Sequence, residues 1–309
     1  MANRKEFTFL SSDGKTPIHA IEWSPEGAPT GVYQIAHGVS EYALRYEPFA
    51  EFLTGKGFVV VANNHIGHGQ SVAEGAAPLY FGEENGWMNV TDDMKQLRDM
   101  THEKYPDLPY FLMGHSMGSF LTHTYLIRYP GTVRAAIIMG TGQQPGYMVA
   151  GGRLAAKVIG RRTGFDKFNA TVNNLAFGAY NKPFGQTRTD LDWLSASEEN
   201  VDRYIADKLC GGGATTGLFH DMLGGIGFIT RASNLAKMDM STPILFISGE
   251  MDPVGDLGKG TRKAYESFRR AGVQDVELKL YPGLRHEILN EKENDQVYAD
   301  IWAWVEKHM

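Results

Sequence analysis

The stretch Tyr110-Phe111-Leu112-Met113-Gly114-His115-Ser116-Met117-Gly118-Ser119 decides the fold. Tyr110 to Met113 have the character of a buried strand, and the residues from Ser119 to Tyr129 read as a helix stopped by Pro130. Between them stands a G-x-S-x-G, Gly114 to Gly118. A strand that becomes a helix within so few residues forces its central serine into strained backbone angles. A side chain at either glycine would collide with neighbouring chain. Ser116 is thereby pushed into the open, at a helix start whose unpaired N–H groups favour developing negative charge.

Outward from this point the same alternation repeats. Short apolar runs recur at Val32 to Ala36, Phe58 to Ala62 and Ala135 to Met139, with stretches between them long enough for crossover helices. Phe7 to Leu10 and Ile18 to Trp23 flank the turn-forming Ser12-Asp13-Gly14-Lys15 and read as an opening hairpin. From about Gln143 to Met240 the rhythm breaks, with scattered glycines and aromatics. It resumes with the strand Ile244 to Ser248, a helix from Lys259 to Gly272, the strand Val276 to Tyr281 and a last helix carrying Val297, Ile301 and Trp304. The expected architecture is α/β with a mostly parallel sheet: a core of residues 1–142 and 241–309, interrupted once by a cap of residues 143–240.

A serine hydroxyl is a poor nucleophile until a base takes its proton. His286, in Tyr281-Pro282-Gly283-Leu284-Arg285-His286-Glu287, lies just past the last expected strand, where such a base belongs. The base needs a buried carboxylate to fix its tautomer. Of Glu250, Asp252 and Asp256, which follow the strand Ile244 to Ser248, Asp252 is the best placed, and it gives the chain order serine, acid, histidine. Two backbone N–H groups must face the oxygen that becomes charged. Met117 supplies one, and Val39, in the His37-Gly38-Val39 that follows Val32 to Ala36, is expected to supply the other. His65 and His68 form an H-x-x-H with no third ligand apparent, so they read as loop residues and no metal is assigned.

These residues, together with His37 to Tyr46, Asn64-His65-Ile66-Gly67-His68-Gly69-Gln70-Ser71 and Gly249 to Gly255, make most of the chain resemble one family. It is the monoacylglycerol lipase and lysophospholipase-like branch of the α/β-hydrolases, related to the serine aminopeptidase-like hydrolases. The resemblance implies an eight-stranded sheet, a helical cap over the serine, and hydrolysis of esters with one long acyl chain. Two positions depart from the pattern: many relatives carry histidine where Tyr42 stands and aspartate where Asn64 stands. Neither touches the expected chemistry. Within the cap, apolar residues such as Leu175, Phe177, Tyr180, Trp193, Leu194, Leu218, Phe219, Met222 and Ile226 are candidates for an acyl channel. Glu41 and Arg45 read as an exposed ion pair bracing the loop before them, worth ~0 to 1 kcal/mol.

Composition narrows the function classes. In 309 residues, 42% hydrophobic and 21% charged, the chain is an ordinary globular protein, and its net charge of −6 gives no electrostatic reason to bind nucleic acid. The lone cysteine, Cys210, carries no disulfide signature and reads as a free thiol. Residues 1–9 lack the apolar core of a signal peptide, and no apolar run approaches the ~20 residues of a membrane span, so the chain reads as cytoplasmic. The expectation is a serine esterase or lipase that needs no cofactor and acts on a small-molecule ester with an acyl chain. Transient contact with a membrane or micelle would run through the cap. A short-chain carboxylesterase and an amidase or aminopeptidase with the same three residues remain open, as does a non-catalytic lipid-binding protein. The sequence does not assign an oligomeric state.

Overall fold

A computed structural model describes residues 3–309, so Met1 and Ala2, the start of the segment read for a signal peptide, lie outside the described residues. Eight strands form one sheet: β1 (Asn3–Leu10), β2 (Pro17–Ser24), β3 (Gly31–Ala36), β4 (Phe58–Asn63), β5 (Tyr110–His115), β6 (Ala135–Met139), β7 (Ile244–Gly249) and β8 (Val276–Tyr281). Their spatial order is β1-β2-β4-β3-β5-β6-β7-β8. The opening hairpin pairs β1 with β2, β2 lies antiparallel on β4, and every later pairing is parallel. The eight-stranded α/β expectation is met.

The central strands are buried on both faces, which is why they read as unbroken apolar runs rather than as alternation. Along β5 the period of two survives in the packing: Tyr110 and Leu112 enter one core layer, Phe111 and Met113 the other. Helices α1 (Glu47–Gly55) and α10 (Asn294–Lys307) cover the second layer with Phe49, Leu53, Val297, Ile301 and Trp304. Helices α2 (Gly86–Lys104), α3 (Met117–Arg128) and α9 (Lys259–Ala271) cover the first. Between β6 and β7 the described residues form α4 (Gly146–Thr163), α5 (Ala170–Phe177), α6 (Glu198–Ala206), α7 (Thr216–Ile229) and α8 (Ala232–Leu235). Of these, α7 sends Leu218, Phe219 and Ile226 into the first core layer.

The strand order reverses at β3, which is flanked by β4 and β5. Ligands of open α/β sheets bind beyond the carboxyl ends of the strands at such a switch point. The parallel register sets Ala36 opposite Gly114, His115 opposite Met139, and Met139 opposite Ile247, so the loops after β3, β5, β6 and β7 emerge at one edge. Among the described residues no helix is long and apolar enough to cross a membrane.

Candidate active site

Ser116 leaves β5 with φ 54° and ψ −119°, a region that L-residues rarely adopt. The surrounding contacts leave it no relaxed alternative. A Cβ on Gly118 would lie 2.1 Å from the Ala36 carbonyl oxygen, and one on Gly114 would lie 2.1 Å from the Gly118 carbonyl oxygen. Both glycines of the pentapeptide are therefore required by close approach of backbone, as the sequence suggested. The Ser116 N–H is tied to the Met139 carbonyl at 3.0 Å, which anchors the turn to β6.

His286 is buried, and its Nδ1 lies 3.0 Å from Asp252 Oδ2. Asp252 is fully buried; it also accepts from Ser248 Oγ at 3.0 Å and from the Val254 N–H at 2.8 Å. Burial pushes its carboxyl up, but the His286 imidazole and these hydrogen bonds outweigh burial and hold it below its ordinary value. Ser116, Met117, Val39 and His286 line one cavity of about 430 Å³. Among the described residues neither the Val39 N–H nor the Met117 N–H donates to another protein group, whereas the N–H of Gly38, the residue before Val39, is taken by Glu41 Oε1 at 2.6 Å. A larger cleft, about 1040 Å³, is lined by Lys15, Glu83, Arg153 and Asp221 among others and contains none of Ser116, Asp252 or His286. Volume alone would select a cleft without the three candidate residues.

The contribution of residues 143–240 to this cavity is narrower than the apolar pattern suggested. Phe177, Tyr180, Trp193, Leu194 and Met222 reach the Ser116 cavity, while Leu175 is exposed and Leu218, Phe219 and Ile226 are spent on the core. From the same stretch, the polar residues Asn173, Asn174, Asn181 and Asp190 also line it. Hydropathy carried no signal for them.

The Glu41–Arg45 pair is not exposed. Its side chains are 4% and 11% accessible, 2.7 Å apart, and Arg45 also holds Glu287 through two bonds of 2.8 Å. Glu41 Oε1 accepts from Tyr46 Oη at 2.8 Å and faces His115 Nδ1 at 3.2 Å, while His115 Nε2 lies 3.2 Å from the His286 carbonyl. Burial would lower His115, but the Glu41 hydrogen bond and charge raise it above its ordinary value. Burial would raise Glu41 and Glu287, but His115 and Arg45 hold Glu41 well down, and Arg45 holds Glu287 down. With both nitrogens of His115 facing acceptors, two carboxylates meet two cations and the buried group is neutral. Arg45 and Glu287 lie 242 residues apart, so only the fold brings them together. The pair bridges the loop after β3 to the loop carrying His286.

His65 and His68 are also buried, and they are joined by His37 beneath the loop after β3. The His37 ring lies 4.1 Å from that of His65 and 5.3 Å from that of His68. The His65 N–H donates to His37 Nε2 at 2.9 Å, so these rings support the loop rather than sit at its surface. Desolvation lowers His37 from 6.5 to about 4 and His68 to about 3, and it also lowers His65. The unfolded chain therefore binds more protons than the native one below pH 6.5. Asp93, raised to about 6 by burial, works in the opposite sense, but against several lowered histidines. Stability is expected to be complete above pH 6.5 and to fall by on the order of a few kcal/mol as pH drops toward 4. Urea midpoints measured across that window test this; a flat profile would contradict neutral burial of the cluster.

With the geometry in place, known proteins give it a context. The family described as serine aminopeptidase, S33, matches residues 27–293. The chain belongs to this hydrolase family. It is 29% identical to the monoacylglycerol lipase of Mycolicibacterium smegmatis over 100% of this chain and 99% of that one. It is also 29% identical to the human monoglyceride lipase, over 96% of this chain and 88% of the relative. A thermostable carboxyl esterase from Bacillus coagulans, solved in complex with glycerol, superimposes with a TM-score of 0.92 at 27% identity. That match covers 100% of this chain and 99% of the esterase. The hydrolase thus shares its architecture, nearly end to end, with a carboxyl esterase.

Cys210 is a buried free thiol in this hydrolase, and burial pushes it well above its ordinary pKa. That holds it as the unreactive neutral form.

Proposed function

We propose that this hydrolase cleaves a carboxylic ester bearing one acyl chain, with monoacylglycerol as the reference substrate, through an acyl-enzyme on Ser116. One observation carries the reading: a strained, accessible Ser116 shares a cavity with His286, whose Nδ1 is held by the buried Asp252, and with Val39 and Met117, whose N–H groups are unspent. The serine oxygen attacks the ester carbonyl carbon and its proton passes to His286 Nε2. The carbonyl electrons move to an oxygen held by the N–H groups of Val39 and Met117. The tetrahedral centre collapses, the bond to the alcohol oxygen breaks, and the alcohol leaves with the proton from His286. Water, deprotonated by the same imidazole, then releases the fatty acid. Asp252 holds the Nδ1 proton and stabilises the imidazolium. No step calls for a cofactor.

Residues 1–142 and 241–309 serve as the core in this reading, and residues 143–240 as the cap. The cavity volume lies in the range of ~300–1,000 Å³ usual for small-molecule sites. Its apolar walls at Phe120, Phe177, Trp193 and Met222 suit an acyl chain, and its asparagines suit a hydroxylated alcohol. The outer side of α4 exposes Tyr147, Met148, Leu154 and Val158, and the helix carries Arg153, Lys157, Arg161 and Arg162. Apolar and basic side chains on one cap helix support transient contact with an anionic lipid surface.

Three substrates test the proposal together: a p-nitrophenyl ester, an aminoacyl anilide, and monoacylglycerol dispersed in vesicles containing anionic lipid. Both esters are expected to turn over faster than the anilide, with the vesicle-borne lipid hydrolysed faster when anionic lipid is present. Faster anilide turnover would transfer the site to the amide chemistry in the family's description. Indifference to anionic lipid would remove the surface contact alone.

A further inference from the structure

A buried carboxylate outside the proposed chemistry fastens the His286 loop from the cap side. Glu291 is 3% exposed. It accepts from the Arg285 N–H at 3.0 Å, Ser195 Oγ at 2.7 Å, the Ala196 N–H at 2.9 Å and the Ser197 N–H at 3.1 Å. On the other side of His286, the Glu287 N–H donates to the Leu194 carbonyl at 2.7 Å. The Arg285 guanidinium donates to the carbonyls of Asp192 and Ser195 and lies 4.1 Å from the centroid of the Phe184 ring. Both chain neighbours of His286 are thus bound to residues 192–197, and the Trp193 ring sits 5.2 Å from the imidazole.

Every group around Glu291 is a donor, so the site is matched to an ionised carboxylate and not to an amide, whose NH₂ would face N–H groups. Without that carboxylate the Arg285 and Ser197 N–H groups lose a charged acceptor in a buried place. The loop that carries His286 then loses one of its attachments to residues 192–197. We infer that Glu291 is a positioning residue for His286, and that residues 192–197 of the cap are a fixed buttress for the base and not part of a moving lid. The inference rests on His286 being the base.

The test is Glu291→Gln, with Ser195→Ala as a milder companion. Each is assayed on a soluble p-nitrophenyl ester and with a fluorophosphonate probe, well below the variant's own Tm. Glu291→Gln is expected to lower kcat by about 10- to 100-fold, the scale of a small misplacement of a catalytic group. KM should stay within about threefold. The labelling rate of Ser116 should fall in parallel, and Ser195→Ala should show a smaller loss of kcat in the same direction. A lower Tm with unchanged kcat and labelling would reduce Glu291 to a structural residue and overturn the inference. So would a raised KM at constant kcat. Should Glu291→Gln fail to fold, unchanged kcat in Ser195→Ala overturns it. Wild-type protein that resists the probe would instead sink the serine-hydrolase reading on which the inference stands.

Discussion

Replacing Ser116 with alanine is expected to lower kcat on any ester by about 10⁴- to 10⁶-fold, the usual consequence of deleting a nucleophile that acts as a unit with its base. The residual rate would come from the Val39 and Met117 N–H groups and from substrate binding. The same position carries an opposite prediction for stability. Ser116 holds φ 54° and ψ −119°, which glycine adopts without the Cβ penalty. Ser116→Gly should therefore abolish activity yet stabilise the fold by about 1–3 kcal/mol, the strain such backbone angles store. Thermal and urea unfolding of the two variants, run beside fluorophosphonate labelling, separates the effects. Residual labelling of Ser116→Ala at the wild-type rate would place the nucleophile elsewhere, and a destabilised Ser116→Gly would contradict the strain argument.

The second large effect is expected at Arg45, which makes no contact with a reacting atom. Arg45→Ala leaves the Glu41 and Glu287 carboxylates facing each other's charge while buried, with only His115 as a cation between them. Removing one partner of such a group typically costs about 3–5 kcal/mol, far above the exposed-pair value expected from the sequence. For a chain of this size that corresponds to a fall in Tm of about 5–8 °C. Activity should fall as well, because Glu41 holds the Gly38 N–H and His115 holds the His286 carbonyl. Arg45→Lys keeps a charge but not the paired bonds to Glu287, so it should lie between wild type and alanine. A Tm within about 2 °C of wild type for Arg45→Ala would mean that water reaches the two carboxylates.

The elbow was readable because its constraints are local. Two glycines two residues from a serine, after four apolar residues and before a helix, state a steric problem that the neighbouring atoms alone create. Asp252 and His286 were readable one step less directly, since their positions follow from where strands end and from the chain order. The Glu41–Arg45 pair shows where such reading stops. Its four-residue spacing gave the contact, but nothing in the local pattern gave its burial, which depends on His115 from the end of β5 and Glu287 from far along the chain. Residues 143–240 show the same limit, because apolar residues such as Leu218 and Met222 look alike in sequence until packing sends one to the core and the other to the cavity.

For this protein the sequence by itself determined the strands, their alternation with helices, and the serine that had to be exposed, because periodicity and close-range sterics act over a few residues. The tertiary structure decided which charges are buried together, which of residues 143–240 line the Ser116 cavity, and that Glu291 accepts from both Arg285 and Ser195. Those outcomes depend on the register that sets Ala36 beside Gly114 and on the contacts of residues 195–197 with Glu291, long-range geometry that no short stretch of chain encodes.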